Sequence, residues 1–347
     1  MKTRADRNIV AGERIGAKAF FMDQRMILLM VIFALVIITG AVNPVFYAVN
    51  NIISIFQSIA AGGLLTMAMG MLLLSGGLDL SIGSVMALSG CIMSILITGG
   101  TMQTASAADG ETMSAISGYT SMPVGILIAI LVSTGAGAAN GFLVAKTRAV
   151  PLIITLGMMN AYFGLALLLT GGKYLTFKMV FEPLRVAKVG EVVPVTLFIF
   201  IAMVLFTWFL VNRTKFGRRI VAIGGNEENA RLSGIKVDKY KIITYAISGA
   251  YCGLASILVA SRVDSITAGA GQGYELDALT GAIIGGITFA GGKGTISGAF
   301  LGVLFMGVLA NSMNIMGVSS HVQIMVKGFI IVAAVAISNL DNIRNRA

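Results

Sequence analysis

The sequence predicts an all-α polytopic membrane protein of about ten transmembrane helices, and three observations predict it. Of 347 residues, 56% are hydrophobic and 12% charged, with a mean hydropathy of +0.90, whereas soluble domains carry about 25% charged residues. Apolar runs of about 20 residues, the length that crosses a bilayer, recur along the whole chain. Lys and Arg gather between these runs rather than in them. Length therefore counts spans, not globular domains. The 43 glycines suit close packing of helices in lipid.

In chain order, residues 1–25 form a polar, mixed-charge cytoplasmic segment with no cleavable signal peptide. Apolar segments follow at 26–43, 52–75, 81–98, 122–146, 151–170, 194–212, 241–263, 274–290, 295–317 and 321–340. Residues 26–340 are thus one transmembrane domain interrupted by a polar insert at 213–241, and 341–347 form a cytoplasmic tail. Lys2, Arg4, Arg7, Arg14, Lys18 and Arg25 place the N-terminus in the cytoplasm, and an even number of spans returns the C-terminus there. Lys146, Arg148, the whole insert, Arg344 and Arg346 then lie inside, and the 99–121 loop, free of Lys and Arg, lies outside. The loop at 171–193 also lands outside, although it carries Lys173, Lys178, Arg185 and Lys188. Glu182 and Glu191 balance it in part, and a short surface helix fits there.

The net charge of +10 follows this inside bias, which accounts for it without nucleic acid; the solvent is the lipid bilayer. Cys91 and Cys252 sit in apolar segments as small packing residues. No nucleophile–base pair marks a catalytic residue, and no His/Cys/Asp cluster marks a metal site.

The insert at 213–241 is the most informative stretch. It is a dense polar and basic island between apolar runs, large enough to meet another protein rather than merely join two helices. Other polar groups lie in or beside spans. In Ser75 to Ser84, two glycines end one span and Asp79 opens the next beside Ser81. A carboxylate at the bilayer centre costs roughly 2.5–3.5 kcal/mol, so Asp79 must sit near an interface or be paired. A tight capped turn and a gating or partner-contact role both fit it. Gln57, Asn140, Asn160, Asn311, Asn314 and Lys327 fall within spans, where they either line a pathway or hydrogen-bond between helices. Lys327, near an outer end, has the reach to snorkel. Glu275 and Asp277 open a span on the outer side, where the helix macrodipole favours acids and a basic external partner could dock. Phe289 to Thr295 imitates a phosphate loop. Ile287 and Gly294 stand where that motif needs Gly and Ser/Thr, so nucleotide binding in this chain is rejected. The pairs Gly137/Gly141, Gly249/Gly253, Gly281/Gly285 and Gly298/Gly302 predict close helix approach.

Taken together, these residues resemble a family. Ser75-Gly76-Gly77-Leu78-Asp79-Leu80-Ser81-Ile82-Gly83-Ser84 is similar to the hallmark of ribose-type ABC sugar permeases, and Pro151 to Gly157 to their Pro-Phe-Ile-x-Thr-Leu-Gly run. Thr214 to Arg218, leading into Ile223 to Ile235, resembles their cytoplasmic coupling segment; Tyr274 to Ala278 and the glycine run after it also match. The resemblance implies a type II importer permease in the bacterial inner membrane. It also implies a second permease subunit, identical or different, a cytoplasmic ABC ATPase that binds ATP-Mg, and a periplasmic or lipid-anchored sugar-binding protein. This chain itself would hold no cofactor and catalyse nothing. Carried over, the ATPase contact falls on Asn226, Glu227, Glu228, Asn229, Ala230, Arg231, Ser233 and Gly234, on a short helix capped by Asn226. The cargo is expected to be a monosaccharide of the ribose, galactose or xylose kind. A furanone signal or a nucleoside is the alternative within the class. An ion-coupled carrier is the alternative outside it, disfavoured because such carriers usually hold charges at mid-membrane.

Overall fold

The computed structural model describes residues 24–99, 102–103, 120–189 and 193–344. Lys2, Arg4, Arg7, Arg14, Lys18, Glu191, Arg346 and most of the 99–121 loop lie outside the described residues.

The described chain is mostly helical. Its helices are α1 (Gln24–Val42), α2 (Val49–Leu74), α3 (Ile82–Thr98), α4 (Met122–Thr147), α5 (Pro151–Thr170), the short α6 (Glu182–Val186), α7 (Val195–Arg213), α8 (Lys215–Gly225), α9 (Glu227–Leu232), α10 (Val237–Val263), α11 (Tyr274–Ile284), α12 (Ile296–Ile315) and α13 (Ser320–Arg344). Seven of them (α1, α2, α4, α5, α7, α10 and α12) are long and apolar enough to cross a membrane, and α3 and the first part of α13 are shorter apolar helices. The chain is thus an all-α polytopic membrane protein.

Nine of the ten apolar segments match these helices to within a few residues. The segment read at 274–290 does not, because its helix has only 11 residues. At 1.5 Å per residue that is about 16 Å, half a hydrocarbon core. Gly285 and Gly286 stop it: Gly286 takes φ +89°, a left-handed value open to glycine, and Ile287 N–H turns back to the Ala282 carbonyl.

Two helices form the centre. In both α2 and α10, about two-thirds of the spanning window is buried, against less than a quarter in α1, α4, α5 and α7. The α4–α10 contact is the most extensive in the molecule, and glycine makes it possible. A β-carbon at Gly137 would collide with the Tyr245 carbonyl, one at Gly249 with the Ser133 carbonyl, and one at Gly253 with Ser133 Oγ. Gly285 and Gly298, and Gly281 and Gly302, bring α11 and α12 together in the same way. Packing of small residues replaces the hydrophobic effect, which does not drive helices together in lipid.

The two ends differ. At one, Met102–Gln103, Tyr174–Thr176 and Ser265–Ile266 form a small antiparallel sheet in which Leu175 pairs with both Met102 and Ile266. Tyr174–Thr176 therefore lie on the same face as Met102–Gln103, and α6 is the short helix expected in the basic loop. At the other end, Lys146 Nζ lies 3.9 Å from Asp238 Oδ2, so the end of α4 and the polar insert share a face.

Candidate functional site

The polar insert folds as two short helices set at an elbow. Thr214 caps α8, its hydroxyl accepting from Gly217 N–H at 3.2 Å. Ile220 and Ile223 are buried while Lys215, Arg218 and Arg219 stay exposed, so α8 lies along the protein as an amphipathic helix. Asn226 ends α8 and caps α9, its Oδ1 accepting from Asn229 N–H at 2.8 Å, a contact worth about 1 kcal/mol. Ala230 packs inward with Ile223 and Val237. Gly234, at φ +80°, closes α9, with Ile235 N–H bonded to the Ala230 carbonyl.

Ion pairs fasten α9 to the start of α10. Glu227 receives Lys241 Nζ at 2.5 Å and an Arg231 guanidinium nitrogen at 3.3 Å. Arg231 also reaches Asp238 at 3.2 Å. Partial burial pushes the Glu227 carboxyl up, but the hydrogen bonds and charges of Lys241 and Arg231 outweigh it and hold it below the usual carboxylate value. Asp238, and then Glu227, raise the Arg231 guanidinium above its already high value. Of the expected contact residues, Glu227, Ala230 and Arg231 thus fix the helix, and Glu228, Asn229, Ser233 and Gly234 stay exposed. Sequence reasoning passed over Leu232, the last residue of α9. It is 77% exposed, an apolar residue at the end of a polar helix. That mismatch was its only signal.

The elbow rests on a glycine junction. A β-carbon at Gly224 would collide with the Leu74 carbonyl and the amide nitrogens of Gly76 and Gly292. Gly292 N–H bonds to the Leu74 carbonyl at 3.3 Å. The end of α8 therefore touches, backbone to backbone, the loop between α2 and α3 and the loop between α11 and α12. The stretch that imitates a phosphate loop is part of this junction.

Beside it lies Asp79, only 2% exposed. Its Oδ1 accepts from Ser81 N–H at 2.8 Å and Ser81 Oγ–H at 2.7 Å. Asn140 Nδ2 donates to Asp79 Oδ2 at 3.1 Å and to Ser81 Oγ at 2.7 Å. The Tyr162 hydroxyl lies 3.1 Å from Asn140 Oδ1. The Tyr245 hydroxyl donates to the Leu78 carbonyl at 2.9 Å and accepts from Leu78 N–H at 3.2 Å. Asp79 is indeed paired, but with neutral donors; no ion pair to it occurs among the described residues. The network clasps α3, α4, α5 and α10.

The remaining candidates lie elsewhere. Asn160 is exposed and donates to the Leu156 carbonyl of its own helix. Asn311 exchanges two hydrogen bonds with Asn51, at 2.8 and 3.1 Å, fastening α12 to α2. Lys327 Nζ meets Asp277 Oδ2 at 2.6 Å, joining α13 to α11. Glu275 Oε1 folds back on Gly273 N–H at 3.1 Å. Glu275 and Asp277 are therefore both engaged within the chain. The Asp277–Lys327 pair lines a cavity of about 720 Å³ between α2, α11, α12 and α13.

Comparison with known proteins agrees with this architecture. The family model described as branched-chain amino acid transport system / permease component matches residues 51–335. The ribose import permease protein of Escherichia coli strain K12 is 34% identical over 334 residues, 95% of this chain and 98% of the relative. That of Bacillus subtilis strain 168 is 34% identical over 306 residues, 88% and 89% of the two chains. The galactose/methyl galactoside import permease protein of Escherichia coli strain K12 is 31% identical over 333 residues, 92% and 94%. No solved structure matches the chain significantly.

Proposed function

Because the chain belongs to the family of branched-chain amino acid transport system / permease components, we propose that it is the membrane-spanning subunit of an ATP-driven importer for a monosaccharide. It works beside a second permease subunit, takes cargo from an external binding protein, and receives its driving force from a cytoplasmic ATPase that holds ATP-Mg. It resides in the inner membrane with about ten membrane-crossing or half-crossing segments, both termini and the polar insert facing the cytoplasm.

The observation that carries this reading is the construction of α9. It is locked to the spans through Glu227, Arg231 and Ala230, yet presents Leu232 and Glu228 to solvent. An exposed apolar anchor with a charged rim is what a protein groove binds, and the glycine junction gives it rigid contact with two span-connecting loops. A push on α9 therefore reaches α2, α3, α11 and α12 as a rigid-body displacement.

The test is uptake of labelled ribose, galactose and allose by cells that lack their own importers and express this chain with its ATPase and binding protein. Uptake is expected to require the ATPase, and uptake that persists without it would sink the reading. Leu232→Asp is expected to weaken ATPase association by about 1–3 kcal/mol and to lower uptake, with the sugar affinity of the binding protein unchanged.

A further inference from the structure

We infer that the cavity between α2, α11, α12 and α13 is a station for a neutral polyhydroxylated solute, with the Asp277–Lys327 pair as its polar recognition element. The inference rests on the reading of the chain as a sugar permease and adds a place for the sugar within it.

Size admits a small solute: about 720 Å³ lies within the range of small-molecule sites, roughly 300–1,000 Å³. Charge narrows the class. Asp277 and Lys327 are the only acid and base among the lining residues, and they neutralise each other at 2.6 Å. An anion or a cation would have to split the pair and leave one charge uncompensated. A vicinal diol would not, since one hydroxyl can donate to the carboxylate while its neighbour accepts from the ammonium. Neither side chain is sealed in, being 34% and 28% exposed. Ser58 and Gln272 add neutral polar groups, and Tyr274 and Met306 offer apolar surface for the C–H faces of a sugar ring. A lipid chain would leave the ion pair without polar company, and so would a purely apolar face of a second subunit.

The cavity lies towards the end of the molecule that carries the small sheet, since Gln272 and Gly273 belong to the same connection as Ser265–Ile266. The glycine junction lies at the opposite end. A solute held here would thus stand between the face expected to receive it and the face expected to be driven.

Thiol accessibility tests the proposal in the whole importer, reconstituted in vesicles with its ATPase. The two native thiols, Cys91 and Cys252, are buried, so the background is quiet. Ser58→Cys is expected to react with a charged, water-soluble methanethiosulfonate, and ribose or galactose, but not sucrose, is expected to slow the reaction severalfold. Reaction only with a lipid-soluble maleimide would assign the cavity to lipid and overturn the proposal. Protection that is independent of sugar, with dimerisation intact, would assign it to the second subunit and also overturn it. Asp277→Asn and Lys327→Gln are each expected to lower sugar uptake about tenfold. Gly328→Leu gives a check away from the ion pair: Gly328 lines the cavity and a β-carbon there meets no atom within 4 Å, so a larger side chain at this position narrows the cavity. Unchanged uptake in Gly328→Leu, together with unprotected Ser58→Cys, defeats the station. Wild-type failure to import any tested sugar defeats instead the reading on which it rests.

Discussion

At the residue scale, the most demanding side chain is Asp79. Its buried carboxyl has no cation partner among the described residues and is met instead by donors from Ser81 and Asn140. Asn140→Leu removes the amide that donates to both Asp79 Oδ2 and Ser81 Oγ, while the Tyr162 hydroxyl keeps its bond to the Ala136 carbonyl. The substitution is expected to cost about 1–3 kcal/mol, read as a lowered unfolding midpoint in detergent. Glu227 makes a second residue-scale case. Its carboxyl is held below the ordinary value by Lys241 and Arg231 against the opposing effect of burial. A depressed folded value means the pair's contribution is complete above the unfolded carboxylate value, about 4.3, and is lost as pH falls through the folded one. Protection of the α9 amides against hydrogen exchange, taken relative to the intrinsic rate at each pH, is therefore expected to fall on acidification below that point, and Glu227→Gln to remove this fall in protection.

At the scale of elements, the junction beneath α8 gives neighbouring glycines opposite expectations. Gly224→Ala drives a methyl group into the Leu74 carbonyl and the amides of Gly76 and Gly292, whereas Gly225→Ala meets nothing within 4 Å. The backbone atoms at Gly224 cannot step aside as a flexible side chain would, so Gly224→Ala is expected to lose uptake or ATPase coupling. Gly225→Ala, which only improves helix propensity by up to about 1 kcal/mol, is expected to leave both intact. Transport and ATPase assays on the two variants in parallel decide it; equal behaviour would remove the junction from the coupling route. The helices themselves were legible because apolar runs have a fixed length in a bilayer. The exception, α11, was misread because hydropathy continues through Gly285 to Ala290 while the backbone turns; composition does not register φ.

At the scale of the whole molecule, the ends are sorted by pairing rather than by charge counting. The sheet through Leu175 and the cluster through Asp238 lie at opposite ends of the spans. Tyr174–Thr176 in the basic loop thus lie at the end opposite Lys146 and the polar insert, so basic residues occur at both ends. A membrane-impermeant maleimide is expected to label Arg148→Cys and Asn229→Cys from one side of sealed vesicles and Tyr174→Cys from the other. Labelling of all three from one side would refute the arrangement.

By itself the sequence determined the class of solvent, the positions of nine helices, the polar insert and its cap at Asn226, because apolar length, side-chain charge and capping chemistry are local properties of the chain. Only the tertiary structure decided that Asp79 meets Asn140 across 61 residues, that Lys327 meets Asp277 across 50, that Asn160 stands apart from both, and that Gly224 touches two distant loops. These are contacts between segments remote along the chain, set by how closely glycine lets backbones approach, and no local pattern encodes which glycine faces which.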